Sequence, residues 1–397
     1  MIKRFFANPC NLYFSLWCLY LLQGTLYAKG SIISQGLLAV IIGMSLVHFY
    51  KVANSSWKPV YFKGLTALVI MYIIYGVALF MTDGSRTQGA WHPATYTYLK
   101  TYLISLLPIY SCYMYARKGG LNGKMLMMWC IVFVIVGIAQ YYRMQQDALQ
   151  ELAGRGSSME EVTNNAGYVM LSLIPCMMIF DKRPLWQYLG LGVCTVFVLM
   201  AMKRGAIIIC AFSLLLFIGY KMRNSKGSRK FSVILITAIG MLFLFRYVQN
   251  FVETSDYFSA RLEQTMEGNS SGRDRIYSSM LNTYFNDDNF FHLLFGRGAN
   301  GTLKIYSNYA HQDWLEILIN QGLFGIMIFA CYWIFFWKAA RSKSYSSTSR
   351  FTLLLIFCMF GLKTLFSMSI GDMTIYVSSI LGYALADGFV RDEQLDL

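Results

Sequence analysis

Apolar residues run along this chain in long blocks separated by short polar turns, and most blocks reach the roughly 17 to 25 residues that an α-helix needs to cross a bilayer. The pattern predicts helices near 10–28, 31–49, 61–81, 98–116, 125–141, 165–180, 185–202, 204–220, 231–249, 321–337, 351–368 and 373–389. That is an all-α polytopic membrane protein of about twelve spans, with both termini on one side. Two junctions are very tight, Asp181-Lys182-Arg183-Pro184 and Lys203-Arg204. One polar interruption is long. It runs from Asn250 to Tyr309 and ends in Ala310-His311-Gln312-Asp313-Trp314-Leu315-Glu316. We expect a single integral membrane domain over 1–397, with a large loop over 250–318 that forms a small helical cap. No internal repeat or inverted half-symmetry is visible, and the first apolar block, after Met1-Ile2-Lys3-Arg4, has no small-residue cleavage site and reads as a retained span.

Composition removes the main alternative. Of 397 residues, 56% are hydrophobic and only 14% charged, which excludes an ordinary soluble globular protein. The net charge of +14 is distributed by topology: 20 of the 34 Lys and Arg residues fall on the face that holds the termini and 13 on the other, with Lys363 inside a span. The bias places both termini in the cytoplasm and the long loop outside, at the periplasm or cell exterior of a bacterial inner membrane. It argues against nucleic acid as a partner. The nine cysteines form no C-x-x-C pair and the four histidines are scattered, so neither a zinc site nor any other cofactor is expected. No D-x-D triplet occurs, and Asp287-Asp288 is the one weak metal candidate.

Against the charge rule, the outer face keeps several arginines, and that pattern suggests an anionic ligand. In Ser271-Gly272-Arg273-Asp274-Arg275-Ile276-Tyr277 a helix is expected to start near Gly272. Arg273 and Arg275 lie about 200° apart on such a helix and cannot both meet one ligand. Arg273 shares its face with Tyr277 and Tyr284 and is preferred. Phe295-Gly296-Arg297-Gly298-Ala299-Asn300-Gly301 is a glycine-rich turn without the strand that a nucleotide loop requires. His311 follows Asn308, a possible helix cap, and sits where an imidazole meets water and can act as a general base. Arg204, Arg246 and Lys363 are cations at or inside span ends, where insertion costs about 2.5–3.5 kcal/mol unless a polar cavity or partner receives them. Asp372 is a candidate partner for Lys363. A guanidinium cluster suits a pyrophosphate, because the planar fork binds phosphate oxygens bidentately.

From about residue 150 to 340 the chain resembles the O-antigen ligase and polymerase superfamily of bacterial membrane glycosyltransferases. The resemblance rests on Arg155-Gly156 with Asn164-Asn165-Ala166, Lys203-Arg204-Gly205-Ala206, Ser271-Gly272-Arg273, Gly296-Arg297-Gly298, and His311 through Leu315 followed by Gly322-Leu323-Phe324-Gly325. Lys203 stands where the family usually has Ser, and Gln312-Asp313 where Asn often follows the histidine. The resemblance implies a fold of the multi-span glycosyltransferase-C type and a donor glycan on undecaprenyl pyrophosphate. Arg204 and Arg273 would bind the pyrophosphate, and His311 would activate the acceptor hydroxyl for an inverting, metal-independent transfer. Arg297, Arg275, Arg246, Lys363, Asp313 and Asn165 are supporting candidates. The acceptor would be a lipid-linked repeat unit in an O-antigen or capsular polysaccharide polymerase, or a lipid A core sugar or other terminal acceptor in a ligase. A polysaccharide flippase without transferase chemistry is the rival class.

Overall fold

The computed structural model describes residues 5–83, 94–155, 165–201, 203–227, 273–306 and 308–395, together with scattered positions between 230 and 250. Among the described residues the regular structure is all helical, apart from an isolated bridge between Gln23 and Tyr27. In order they form α1 (Pro9–Leu21), α2 (Ile32–Ala53), α3 (Tyr61–Asp83), α4 (Ala94–Arg117), α5 (Gly123–Arg155), α6 (Ala166–Leu171), a 3-10 turn (Ile174–Phe180), α7 (Pro184–Met200) and α8 (Arg204–Asn224). These are followed by α9 (Arg273–Phe285), α10 (Phe290–Phe295), α11 (Thr302–Ile305), α12 (Asp313–Arg341), α13 (Ser347–Phe366), a 3-10 turn (Ile370–Asp372), α14 (Ile375–Leu385) and α15 (Gly388–Leu395). Among the described residues, six helices are long and apolar enough to cross a membrane: α2, α3, α5, α8, α12 and α13. Shorter apolar helices, among them α7 and α14, add to the set, so the molecule is a polytopic helical protein. The helix expected over 231–249 lies mostly outside the described residues.

Three of the expected spans take a different form, each for a local reason. The first helix stops at Leu21, because the chain turns at Gly24, which adopts φ 83°. The block 165–180 is not one helix. Pro175 has no N–H to donate, and the segment breaks into α6 and a 3-10 turn. The span expected from 321 is the second part of a longer helix, α12, which begins at Asp313 and kinks at Gly322.

The chain divides into two compact units. One comprises Met1–Trp17, Gln35–Leu126 and Gly272–Leu397, and the other Cys18–Ser34 and Met127–Ser271. In the first unit α3 and α12 run antiparallel. At one end Tyr61 hydrogen-bonds Tyr332 at 3.2 Å and its ring lies 4.8 Å from Phe336; at the other Tyr75 Oη donates to the carbonyls of Phe295 and Gln321. Beside them α4 stacks Tyr102 on Tyr72, with centroids 3.7 Å apart, and Tyr98 accepts from Gln321 Nε2 at 3.0 Å. Aromatic rings thus form the seam, and their hydroxyls find partners inside it. In the second unit, Tyr141 of α5 packs on Phe197 of α7, with centroids 4.9 Å apart, and Gln187 donates to Met177 O at 3.0 Å. Lys221 closes the end of α8 onto Asp181 at 2.6 Å.

Candidate active site

The sequence of α9 fixes its orientation. Ile276, Met280 and Tyr284 recur at intervals of four and form one apolar stripe. The stripe packs against Ala310, Leu315 and Ile319, the residues on either side of the His311 turn and the start of α12. One turn before that stripe, Arg273 is half-buried and donates from Nη1 to Phe366 O, at the C-terminal end of α13, at 2.9 Å. A cation on the orphan carbonyls of a helix end is favourable. Arg275, on the other face, is exposed. Burial pushes the Tyr277 phenol above its usual range, and the neighbouring Arg273 charge opposes that shift.

His311 stands in the left-handed region, with φ 54°, a conformation few non-glycine residues adopt. Its backbone is fixed from both sides. On one side, Glu316 is 2% exposed, and its two carboxylate oxygens accept from Ala310 N–H at 2.9 Å, Thr302 Oγ1 at 2.6 Å and Asn320 Nδ2 at 2.9 Å. On the other side, Asp313 is equally buried, and its Oδ2 accepts from the N–H groups of Ser369 at 2.6 Å and Ile370 at 3.4 Å. Trp314 Nε1 adds a bond to Thr364 Oγ1 at 3.0 Å. The segment 364–370 therefore binds both Arg273 and the His311 turn, and half-buried His311 lies at a polar junction built from four helices. Asn308 does not cap α12 as the sequence suggests. Its Oδ1 accepts from Tyr309 N–H, and Gln312 occupies the cap position without a side-chain bond.

The glycine-rich turn has a structural partner. At Gly322, with φ 66° and ψ −162°, α12 leaves helical geometry, which deprives the carbonyls of Ile319 and Asn320 of helical donors. Arg297 N–H takes the first at 2.8 Å and Gly298 N–H the second at 3.0 Å. The backbones come so close that a Cβ on Gly296 would lie 2.3 Å from Asn320 C, and one on Gly322 2.5 Å from Gly296 N. The Arg297 side chain pairs with Asp287, which also accepts from His292 Nδ1 at 3.0 Å. The Asn289 backbone N–H, then His292 and Arg297, holds the Asp287 carboxyl below the usual carboxylate range. Arg297 and Asp287 thus serve each other. Lys363 is similarly paired with Asp372, at 2.8 Å.

The second unit carries the remaining candidates. Arg204 opens α8 after Lys203, and exposed Asn165 precedes α6. These two helix starts lie side by side, since a Cβ on Gly167 would be 3.1 Å from Ala201 Cβ and 3.4 Å from Ala206 Cβ. Arg204 is half-buried, and Arg246 is exposed. The residues that sequence reasoning passed over are Thr302, Glu316 and Asn320. The available signal was a Glu and an Asn four apart, on one face of a helix otherwise rich in Leu and Ile.

A multi-pass helical membrane protein that fixes a histidine and an arginine at one polar junction is the class defined by these observations. Residues 189–330 match the family model described as O-antigen ligase. The match supports the O-antigen ligase and polymerase superfamily, a family of membrane glycosyltransferase-type enzymes, and it includes Arg204, Arg273, Arg297, His311 and Asp313. No curated protein matches the chain significantly.

Proposed function

We propose that the protein is a metal-independent, inverting glycan polymerase that acts on undecaprenyl-pyrophosphate-linked oligosaccharides outside the cytoplasmic membrane. The observation that carries this reading is the fixed His311 turn, joined to Arg273 through the end of α13 and the α9 stripe. His311 takes the proton from an acceptor sugar hydroxyl. The hydroxyl oxygen attacks the anomeric carbon of the donor from the face opposite the leaving group. The anomeric C–O bond breaks, and its electron pair leaves with undecaprenyl pyrophosphate. Arg273 stabilises the charge that develops there, an electrostatic role that guanidinium fulfils without a proton transfer. The family resemblance assigns Arg204 the same role. The acceptor is a second lipid-linked repeat unit. A ligase that delivers the glycan to a lipid A core sugar would use the same chemistry, and product length separates the two: a ladder from a polymerase, a single addition from a ligase.

The arginines offer a test. Arg273→Ala should lower transfer at least tenfold at matched protein level, Arg273→Lys should restore little because it loses bidentate geometry, and Arg275→Ala should leave most activity. Equal losses from Arg273→Ala and Arg275→Ala, measured as product per reconstituted protein, would remove the assignment.

A further inference from the structure

We propose that α10, with Phe285 at the end of α9, is a membrane-embedded wedge that holds the His311 region at the bilayer surface. Phe285, Phe290 and Phe291 are 73%, 64% and 70% exposed, a degree of ring exposure that water disfavours. Phe295 is exposed as well, and its ring lies 5.9 Å from Phe324 of α12.

Two spans of the same unit give the depth of these rings. On α12 the exposed apolar stripe runs from Leu323 and Phe324 through Met327 and Ile334 to Trp337. At 1.5 Å per residue it covers roughly 20 Å, short of a hydrocarbon core of about 30 Å. The rings of α10 continue the stripe past the Gly322 kink. Independently, Tyr75 of α3 bonds the Phe295 carbonyl, and this fixes the level of α10 along α3. Beyond that level α3 still presents exposed Val77, Phe80 and Met81. Those residues extend the apolar surface by about 9 Å in the same direction. A segment level with Tyr75 therefore lies beside lipid-facing residues both above and below it, and phospholipid of the adjacent leaflet is the occupant that this continuity selects. The Asp287–Arg297 pair fits the location, since each charge near the apolar layer is neutralised by the other.

The experiment uses the full-length protein in liposomes, with Cys331→Ser and Cys358→Ser in the background and a nitroxide label on Phe291→Cys. A label on Asp288→Cys serves as the aqueous reference, and one on Ile334→Cys as the lipid reference. Accessibility to oxygen and to a water-soluble nickel chelate is read by power saturation. The wedge predicts an oxygen-to-nickel ratio at 291 several-fold above that at 288 and near that at 334, unchanged when undecaprenyl phosphate is added. A ratio equal to that at 288 overturns the proposal. Protection from both agents would point to a second copy of the chain, and a ratio that falls on addition of undecaprenyl phosphate would point to a polyprenyl groove. Either of those results overturns it too.

Discussion

Replacement of His311 by Ala should lower glycan transfer by about 10²–10⁴, the range that a positioned general base contributes. Membrane insertion and thermal stability should remain near wild type. The reason lies in how the turn is held: Ala310 N–H, the Glu316 carboxylate and the Asp313 carboxylate fix the backbone, and none of these bonds uses the imidazole. Binding of the lipid-pyrophosphate donor should largely survive as well, because that role falls to guanidinium groups. His292→Ala is the control, since His292 pairs with Asp287 beside the Arg297 turn and should affect rate only mildly. Initial rates of purified protein in liposomes, with donor binding measured in parallel, decide between a chemical and a structural defect. A His311→Ala enzyme at wild-type rate would end the catalytic assignment.

Glu316→Ala should fail differently, by losing stability and activity together. It deprives three buried donors, Thr302 Oγ1, Asn320 Nδ2 and Ala310 N–H, of their acceptor. Each unsatisfied donor costs about 1–3 kcal/mol, so the loop from Thr302 to His311 should be destabilised by on the order of 3 kcal/mol or more. The unfolding midpoint should fall, and transfer should drop at least as far as in His311→Ala. Glu316→Gln keeps the shape and one acceptor, but its amide nitrogen meets a donor, so it should lie between Ala and wild type. A Glu316→Ala protein with unchanged midpoint and rate would show that the three bonds do not position the turn.

The sequence displays what depends on local pattern. The spacing of Ile276, Met280 and Tyr284 specifies the buried face of α9, and long apolar blocks mark α2, α3, α8 and α13 with little error at their ends, whereas α5, expected over 125–141, continues as helix to Arg155 through polar residues such as Arg143, Gln145 and Asp147. What it conceals depends on distant pairing. The bonds from Arg297 and Gly298 to the carbonyls of Ile319 and Asn320 join residues more than twenty positions apart, and only they explain why α12 can kink at Gly322. Asp313 reads as a helix-start residue, yet its partners are Ser369 and Ile370, on a segment that follows another span. Arg297 reads as a spare cation because Asp287 lies ten residues away from it, too far for local periodicity to couple, whereas the Lys363–Asp372 pair is the one the sequence suggests. Pro175 is a local signal against its own span, since proline lacks the N–H of a helical hydrogen bond, although Pro108 is accommodated inside α4.

The most direct measurement of the central claim is transfer by the purified, reconstituted protein supplied with an undecaprenyl-pyrophosphate-linked repeat oligosaccharide and excess EDTA. The account predicts a ladder of inverted-linkage glycans on the lipid, released undecaprenyl pyrophosphate, and a rate that EDTA leaves unchanged. The absence of any elongated glycan, or a product that disappears when EDTA is added, would contradict it.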